Sequence, residues 1–158
     1  MKDKEIVKIT ENEVKGLVDL LGIDCKYDID IEEGEEEIKI INISFDGEDL
    51  GYMIGNHGRH LDSLQYVFSL LLRKKFEEDF HFIVMVDVSG YRRERNSKIE
   101  QIALRKADDA RLLGEPVDLK PMKASDRRIV HMVLQKFDDI TTESQGEGLD
   151  RYVRIIPK

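Results

Sequence analysis

The 158-residue chain has one cysteine, Cys25, so it cannot form an internal disulfide, and no second cysteine stands by to share a metal. Its four histidines, His57, His60, His81 and His131, show neither an HExxH pattern nor a paired spacing with acids, which argues against a zinc site. No run of about 18 apolar residues occurs, and the opening MKDKEIVKITENE lacks the apolar stretch of a signal peptide. Neither a membrane span nor secretion is indicated, and a cytoplasmic location is expected. Clustered acids converging on a divalent metal are absent too, since the acids fall on turns and polar faces, so nuclease or other phosphodiester chemistry fits poorly. No enzyme activity, metal or cofactor is expected.

What is present in excess is negative charge, −8 overall. Phosphate binding normally leaves a basic footprint, but the charge is unevenly spread. Residues 1–50 carry six Lys against sixteen Asp or Glu, whereas residues 51–158 carry nineteen basic and seventeen acidic residues. The acidity belongs to the first third.

Thr10-Glu11-Asn12-Glu13 reads as a capping box opening a helix over about residues 10–22, with Val14, Leu17, Val18, Leu20 and Leu21 at helical spacing and Gly22 as its C-cap. Two alternating runs, Cys25 to Ile31 and Glu37 to Phe45, predict a hairpin around the acidic turn EEGEEE. Leu50 to Ile54 suits a short helix. It is followed by Gly55-Asn56-His57-Gly58 and then an amphipathic helix carrying Leu61, Leu64, Val67, Phe68, Leu71 and Leu72 on one face. The strand FHFIVMVDV closes the unit. Beyond Gly90, Ile99, Ile102, Ala103, Ala107, Ala110, Leu112 and Leu113 support a long helix ending at Gly114. A short extended segment follows, then a helix from about Ala124 to Phe137 with Ile129, Val130, Val133 and Leu134 inward, and two strands joined at Gly146 to Asp150. The chain is expected to be α+β, with a unit over residues 1–90 of order helix-strand-strand-helix-helix-strand. The long helix joins it to a small α+β unit over residues 91–158.

Two motifs carry functional meaning. Glycines at 55 and 58 permit a sharp turn and remove Cβ atoms, so a sugar-phosphate backbone can approach while amides of the next helix face its phosphates. That is how a KH domain clamps single-stranded nucleic acid, and the element order matches its type II arrangement. The second motif is Arg127-x-x-x-His131: four residues apart on a helix, a guanidinium fork and an imidazole share one face and suit adjacent phosphate oxygens.

The stretch LGYMIGNHGRHLDSLQYVFSLLLRKKF, through Ile54, Gly55, Gly58, Leu61, Asp62, Leu64 and Gln65, resembles the KH domain of the Jag (SpoIIIJ-associated) family of bacterial RNA-binding proteins. PMKASDRRIVHMVLQ followed by TTESQGEGLDRYVRIIP resembles the Arg-x-x-x-His domain of that family, through Pro121, Met122, Arg127, His131, Ser144, Gly146 and Glu147. Two departures stand out. Asn56 and His57 occupy a loop that is commonly basic in the family, and Glu143 places an acid in the second domain's loop.

The resemblance implies a single-stranded RNA-binding protein, with single-stranded DNA as a further ligand. The expected binding set is Gly55, Asn56, His57, Gly58, Arg59 and His60 in the first unit, with Arg127, Arg128, His131, Arg151 and Arg154 in the second. Arg92, Arg93, Arg95 and Lys98 on the joining helix are either phosphate contacts or solvated. The family also brings RNA chaperone-like or post-transcriptional roles, a small KH-only protein partner, and a link to cell elongation and envelope homeostasis. Its members often carry a further N-terminal domain, so this chain looks like either a short form or a truncated piece of a longer protein. The competing reading is a protein-interaction module on a KH scaffold that no longer grips RNA, with the acidic hairpin meeting a basic partner.

Overall fold

The first helix starts earlier than its sequence pattern indicates. In the computed structural model, which describes all 158 residues, α1 spans Asp3–Leu21. Ile6, Thr10, Val14 and Val18 are its buried residues, so the inward stripe begins a turn before the supposed cap. Thr10 is therefore not an N-cap: it is fully buried inside the helix, and its hydroxyl donates to the Ile6 carbonyl at 2.8 Å. A threonine that bonds back one turn satisfies its own hydroxyl without a capping site. The other end is as the sequence indicates. Gly22 adopts φ 65°, and the Ile23 amide returns to the Val18 carbonyl, which closes the helix.

The chain divides into two compact units, Met1–Arg92 and Arg93–Lys158. In the first, β1 (Lys26–Glu33) pairs antiparallel with β2 (Lys39–Asp46), and β2 pairs parallel with β3 (Phe82–Val88). The acidic turn between β1 and β2 is a single 3-10 turn, Glu35–Glu37. Alternation sends Ile41, Ile43 and Phe45 of β2 and Val84, Val86 and Val88 of β3 to one face, where all are buried. That face packs in one core with Leu61, Phe68 and Leu72 of α3 (Arg59–Arg73) and Val14 of α1. Phe45 stacks on Phe68 with ring centres 6.1 Å apart. Val67, expected on the inner face, is 37% exposed. Between β2 and α3 lies the short helix α2 (Gly51–Ile54), anchored by buried Met53.

The second unit is built on α4 (Tyr91–Leu113), whose first two residues belong to the first unit. Its buried residues are Ile99, Ala103, Ala107 and Ala110, a mostly small-residue stripe at helical spacing that permits close approach of its neighbours. Leu112 and Leu113 do not continue it. They are 87% and 64% exposed, because the stripe ends at Ala110 and the chain turns away at Gly114, where φ is 67°. The remaining elements are β4 (Val117–Asp118), α5 (Ala124–Leu134), β5 (Ile140–Gln145) and β6 (Tyr152–Pro157). Both β4 and β5 pair antiparallel with the central β6. Helix α5 is shorter than expected, ending before Phe137, and it buries Val130, Leu134 and the carboxylate of Asp126. No helix is long and apolar enough to cross a membrane, and no group of three or more His, Cys, Asp or Glu side chains converges on a metal position.

Candidate nucleic-acid interface

The turn between α2 and α3 is shaped by its two glycines. Gly55 takes φ 69° with ψ −170°, and Gly58 takes φ 82°, both in the region that side chains disfavour. Space demands glycine at 55 as well: a Cβ there would lie 2.4 Å from Cγ of His60. His60 holds this arrangement, since its Nδ1–H donates to the Tyr52 carbonyl at 2.7 Å and the ring lies over Gly55. A residue expected to touch nucleic acid is thus first a brace for the loop, with Nε2 as its remaining polar atom. Asn56, His57 and Arg59 are exposed, and His57 itself sits at φ 55°.

Helix α3 begins at Arg59 with Gly58 in the capping position, so no side chain satisfies its first amides. The Arg59 amide donates to the Asn56 carbonyl, and the amides that follow it stand at the positive end of the helix dipole, next to a loop without Cβ atoms at 55 and 58. The fixed positive charge here is Arg59 alone, because Asn56 and His57 stand where further cations would otherwise sit.

Asp62 and Gln65, on the next turn of α3, have a different task. Arg92 donates from Nη1 to Asp62 at 3.0 Å, from Nη2 to Oε1 of Gln65 at 3.0 Å and from Nε to the Val86 carbonyl at 2.7 Å. Gln65 Oε1 also accepts the Val86 amide at 3.1 Å, and Asp87 accepts the Arg92 amide at 3.1 Å. This network ties α3 to the outer edge of β3 at Val86 and places Arg92 with the first unit. Arg92 is therefore a structural residue, and the Asp62 and Gln65 positions of the sequence motif are its partners.

In the second unit, α5 presents Arg127 and His131 on one flank, as their spacing requires, but both turn inward. Arg127 Nη1 donates to the Met122 carbonyl at 2.8 Å, fixing the segment that leads into the helix. His131 is hydrogen-bonded on both sides, Nδ1 to the Thr142 hydroxyl at 2.7 Å and Nε2 to the Ser144 hydroxyl at 3.0 Å. Burial, and then the neighbouring Arg127 charge, push its pKa below the ordinary histidine value. With both nitrogens engaged and the neutral form favoured, His131 fastens α5 to β5. Arg95 is likewise taken up internally, by Asp126.

Arg154 is bound side-on by a carboxylate. Its Nε and Nη2 donate to the two oxygens of Asp118 at 2.6 and 2.8 Å, and this pairing holds the Asp118 carboxyl below the usual carboxylate range. Arg128 and Arg151 are exposed and make no ion pair. Of the expected binding set, the structure thus leaves Asn56, His57, Arg59, Arg128 and Arg151 turned to solvent. His60, Arg127, His131 and Arg154 hold the elements that carry them.

Residues 11–86 match the KhpA/KhpB, KH domain family, and residues 96–157 match the Arg-x-x-x-His (R-3-H) domain family. The chain belongs to the Jag family. Its relatives include the RNA-binding protein KhpB of Clostridium symbiosum, 37% identical over 134 residues, which are 85% of this chain and 59% of that protein. The protein of the same name from Bacillus subtilis is 30% identical over 135 residues, covering 84% of this chain and 62% of the relative. A third, from Streptococcus pneumoniae, is 28% identical over 131 residues, 81% of this chain and 39% of the relative. The chain therefore spans about three fifths of the length of the first two relatives. The Jag arrangement of a KH domain followed by an Arg-x-x-x-His domain accounts for nearly the whole chain.

Proposed function

We propose that this protein binds single-stranded RNA and acts through binding rather than catalysis. The observation that carries this reading is the Gly55–Gly58 turn set against the uncapped start of α3, with Asn56, His57 and Arg59 exposed around it. An extended phosphate backbone can approach such a turn closely and take hydrogen bonds from its amides. Arg128 and Arg151 supply positive charge on the second domain, where a flanking stretch of the same strand would gain from effective concentration once the first site is occupied. The names of the relatives agree with an RNA ligand. Single-stranded DNA is a weaker candidate on the same chemistry.

The setting is intracellular regulation of RNA, as a chaperone or post-transcriptional factor working in the cytoplasm, with a small KH-only protein as partner. Roles in cell elongation and envelope homeostasis follow from the family resemblance. Polarisation titration of a labelled single-stranded RNA at about 50 mM salt, where phosphate contacts are strongest, tests the core of this reading. Binding that weakens steeply with salt is expected. The double substitution Asn56→Asp with His57→Asp, at exposed positions, should abolish it while leaving the fold intact. Absence of any RNA affinity in the unmodified protein overturns it.

A further inference from the structure

The family resemblance places Arg154 in the nucleic-acid-binding set, yet its hydrogen-bonding fork is spent on Asp118. Its cross-strand neighbour on the other side, Glu143 of β5, is acidic as well. A guanidinium so placed is a poor phosphate clamp. What it still offers is a flat face.

That face is on the side of the second sheet turned away from its core, where Tyr152, Arg154 and Ile156 are half-buried. Along β6, Val153 and Ile155 are buried in the core beneath α4 and α5, which by alternation puts Tyr152, Arg154 and Ile156 on the opposite side. Register places Tyr152 across from Gln145 of β5, and its hydroxyl donates to Oε1 of Gln145 at 3.3 Å. The same hydroxyl also lies within reach of the Asp118 carboxylate of β4 and helps hold it below its usual range, so the phenol is tied from both neighbouring strands. Arg154 extends towards Asp118 of β4, and the bidentate contact keeps its plane fixed. Two planar groups sit two residues apart on the central strand, about 6.6 Å along it. This is roughly twice the 3.4 Å rise between stacked bases of a helical strand, a spacing that suits bases splayed apart.

We propose that Tyr152 and Arg154 form a base-stacking platform for single-stranded nucleic acid, each carrying one base. The proposal rests on the RNA-binding reading above and extends it with a site that recognises bases rather than phosphates. Asp118 serves the platform as a positioning residue that orients the guanidinium. Aromatic and guanidinium planes both stack on exposed bases, and such stacking tolerates any base because each has a π-face. It suits a protein of net charge −8, because stacking needs no surplus of positive charge.

The test uses the full chain and two probes of equal charge, each about 12 nucleotides long, within the range of small single-strand sites: an oligoadenylate and an abasic ribose-phosphate strand. The unmodified protein should prefer the oligoadenylate, and Tyr152→Leu should weaken that binding about tenfold without changing affinity for the abasic strand. Tyr152→Phe, which keeps the ring, should retain the preference. Arg154→Lys, which keeps the charge opposite Asp118 but loses the plane, should lower oligoadenylate affinity alone. Equal affinity of the unmodified protein for the two probes overturns the platform and leaves RNA binding standing. So does a Tyr152→Leu protein that matches the unmodified one, or one that loses both probes equally. No binding of either probe by the unmodified protein overturns both readings.

Discussion

Arg95 directs Nε and Nη2 onto the same carboxylate oxygen of Asp126, at 3.2 and 2.8 Å, and Asp126 is only 2% exposed. The contact fastens α4 to α5 within the second unit. Removing one partner of such a pair strands a buried charge, so Arg95→Ala should destabilise this unit by about 3–5 kcal/mol in urea unfolding. The double replacement Arg95→Met with Asp126→Leu, which removes both charges, should recover most of that loss. A stable Arg95→Ala protein with weakened RNA binding would instead make Arg95 a phosphate contact.

Arg92 allows the same distinction in the first unit. Its hydrogen bonds to Asp62, Gln65 and the Val86 carbonyl include charged partners, each contact of this kind being worth about 1.5–3 kcal/mol. Arg92→Ala should lower stability by at least that amount and speed hydrogen exchange at the Val86 amide. The salt dependence of RNA binding, measured below the unfolding range, should keep its slope, whereas loss of a phosphate contact would reduce it by about 1.

Gly55→Ala tests the close approach within the clamp. Its Cβ would collide with the His60 ring, and φ 69° with ψ −170° is a conformation that alanine resists. The loop must open and His60 must release the Tyr52 carbonyl. RNA affinity should fall at least about tenfold, the equivalent of about 1.4 kcal/mol. A proton spectrum of His60 should report the broken Nδ1 contact. Unchanged affinity would show that the clamp tolerates a different loop shape.

The pH dependence follows from the direction of the His131 shift. Burial and Arg127 lower its pKa in the folded protein, so the unfolded chain takes up a proton first as pH falls. Stability contributed by the neutral ring is full above the unfolded value of about 6.5 and is lost as pH drops through the folded value. Unfolding measured from pH 8 to pH 5 should show declining stability below about 6.5, and His131→Asn should flatten that decline. An NMR titration of the His131 ring should give a midpoint below about 6.5. A midpoint above that value would mean the ring is gaining, not losing, access to negative charge.

Much of the fold is legible in the sequence because local chemistry and packing agree. Gly22 and Gly114 mark helix ends through their positive φ, and the alternation in β2 and β3 separates a buried face from an outer one. The elements around Gly55 and Gly58 occur in the order their periodicity indicates. The misreadings share one cause. Thr10 looks like a cap because Thr-x-x-Glu occurs at many helix starts, but the buried stripe that extends the helix back to Asp3 includes Ile6 and is not visible in the four residues of the box. Leu112 and Leu113 look like core by composition, yet the helix rotates them away from the sheet before it ends.

The sequence by itself determined that two glycines would shape a tight turn before an amphipathic helix, and that Arg127 and His131 would share a helix flank. Both are local consequences of backbone geometry and helical spacing. Only the tertiary structure decided which polar side chains keep their hydrogen-bonding capacity for a ligand. Arg92, Arg95, His131 and Arg154 find partners 30, 31, 11 and 36 residues away in the chain, and a buried or paired group cannot be told from a free one until those distant segments meet. The same meeting of strands ties the Tyr152 hydroxyl to Gln145 and fixes Arg154 in plane, an arrangement that no spacing along the chain reveals.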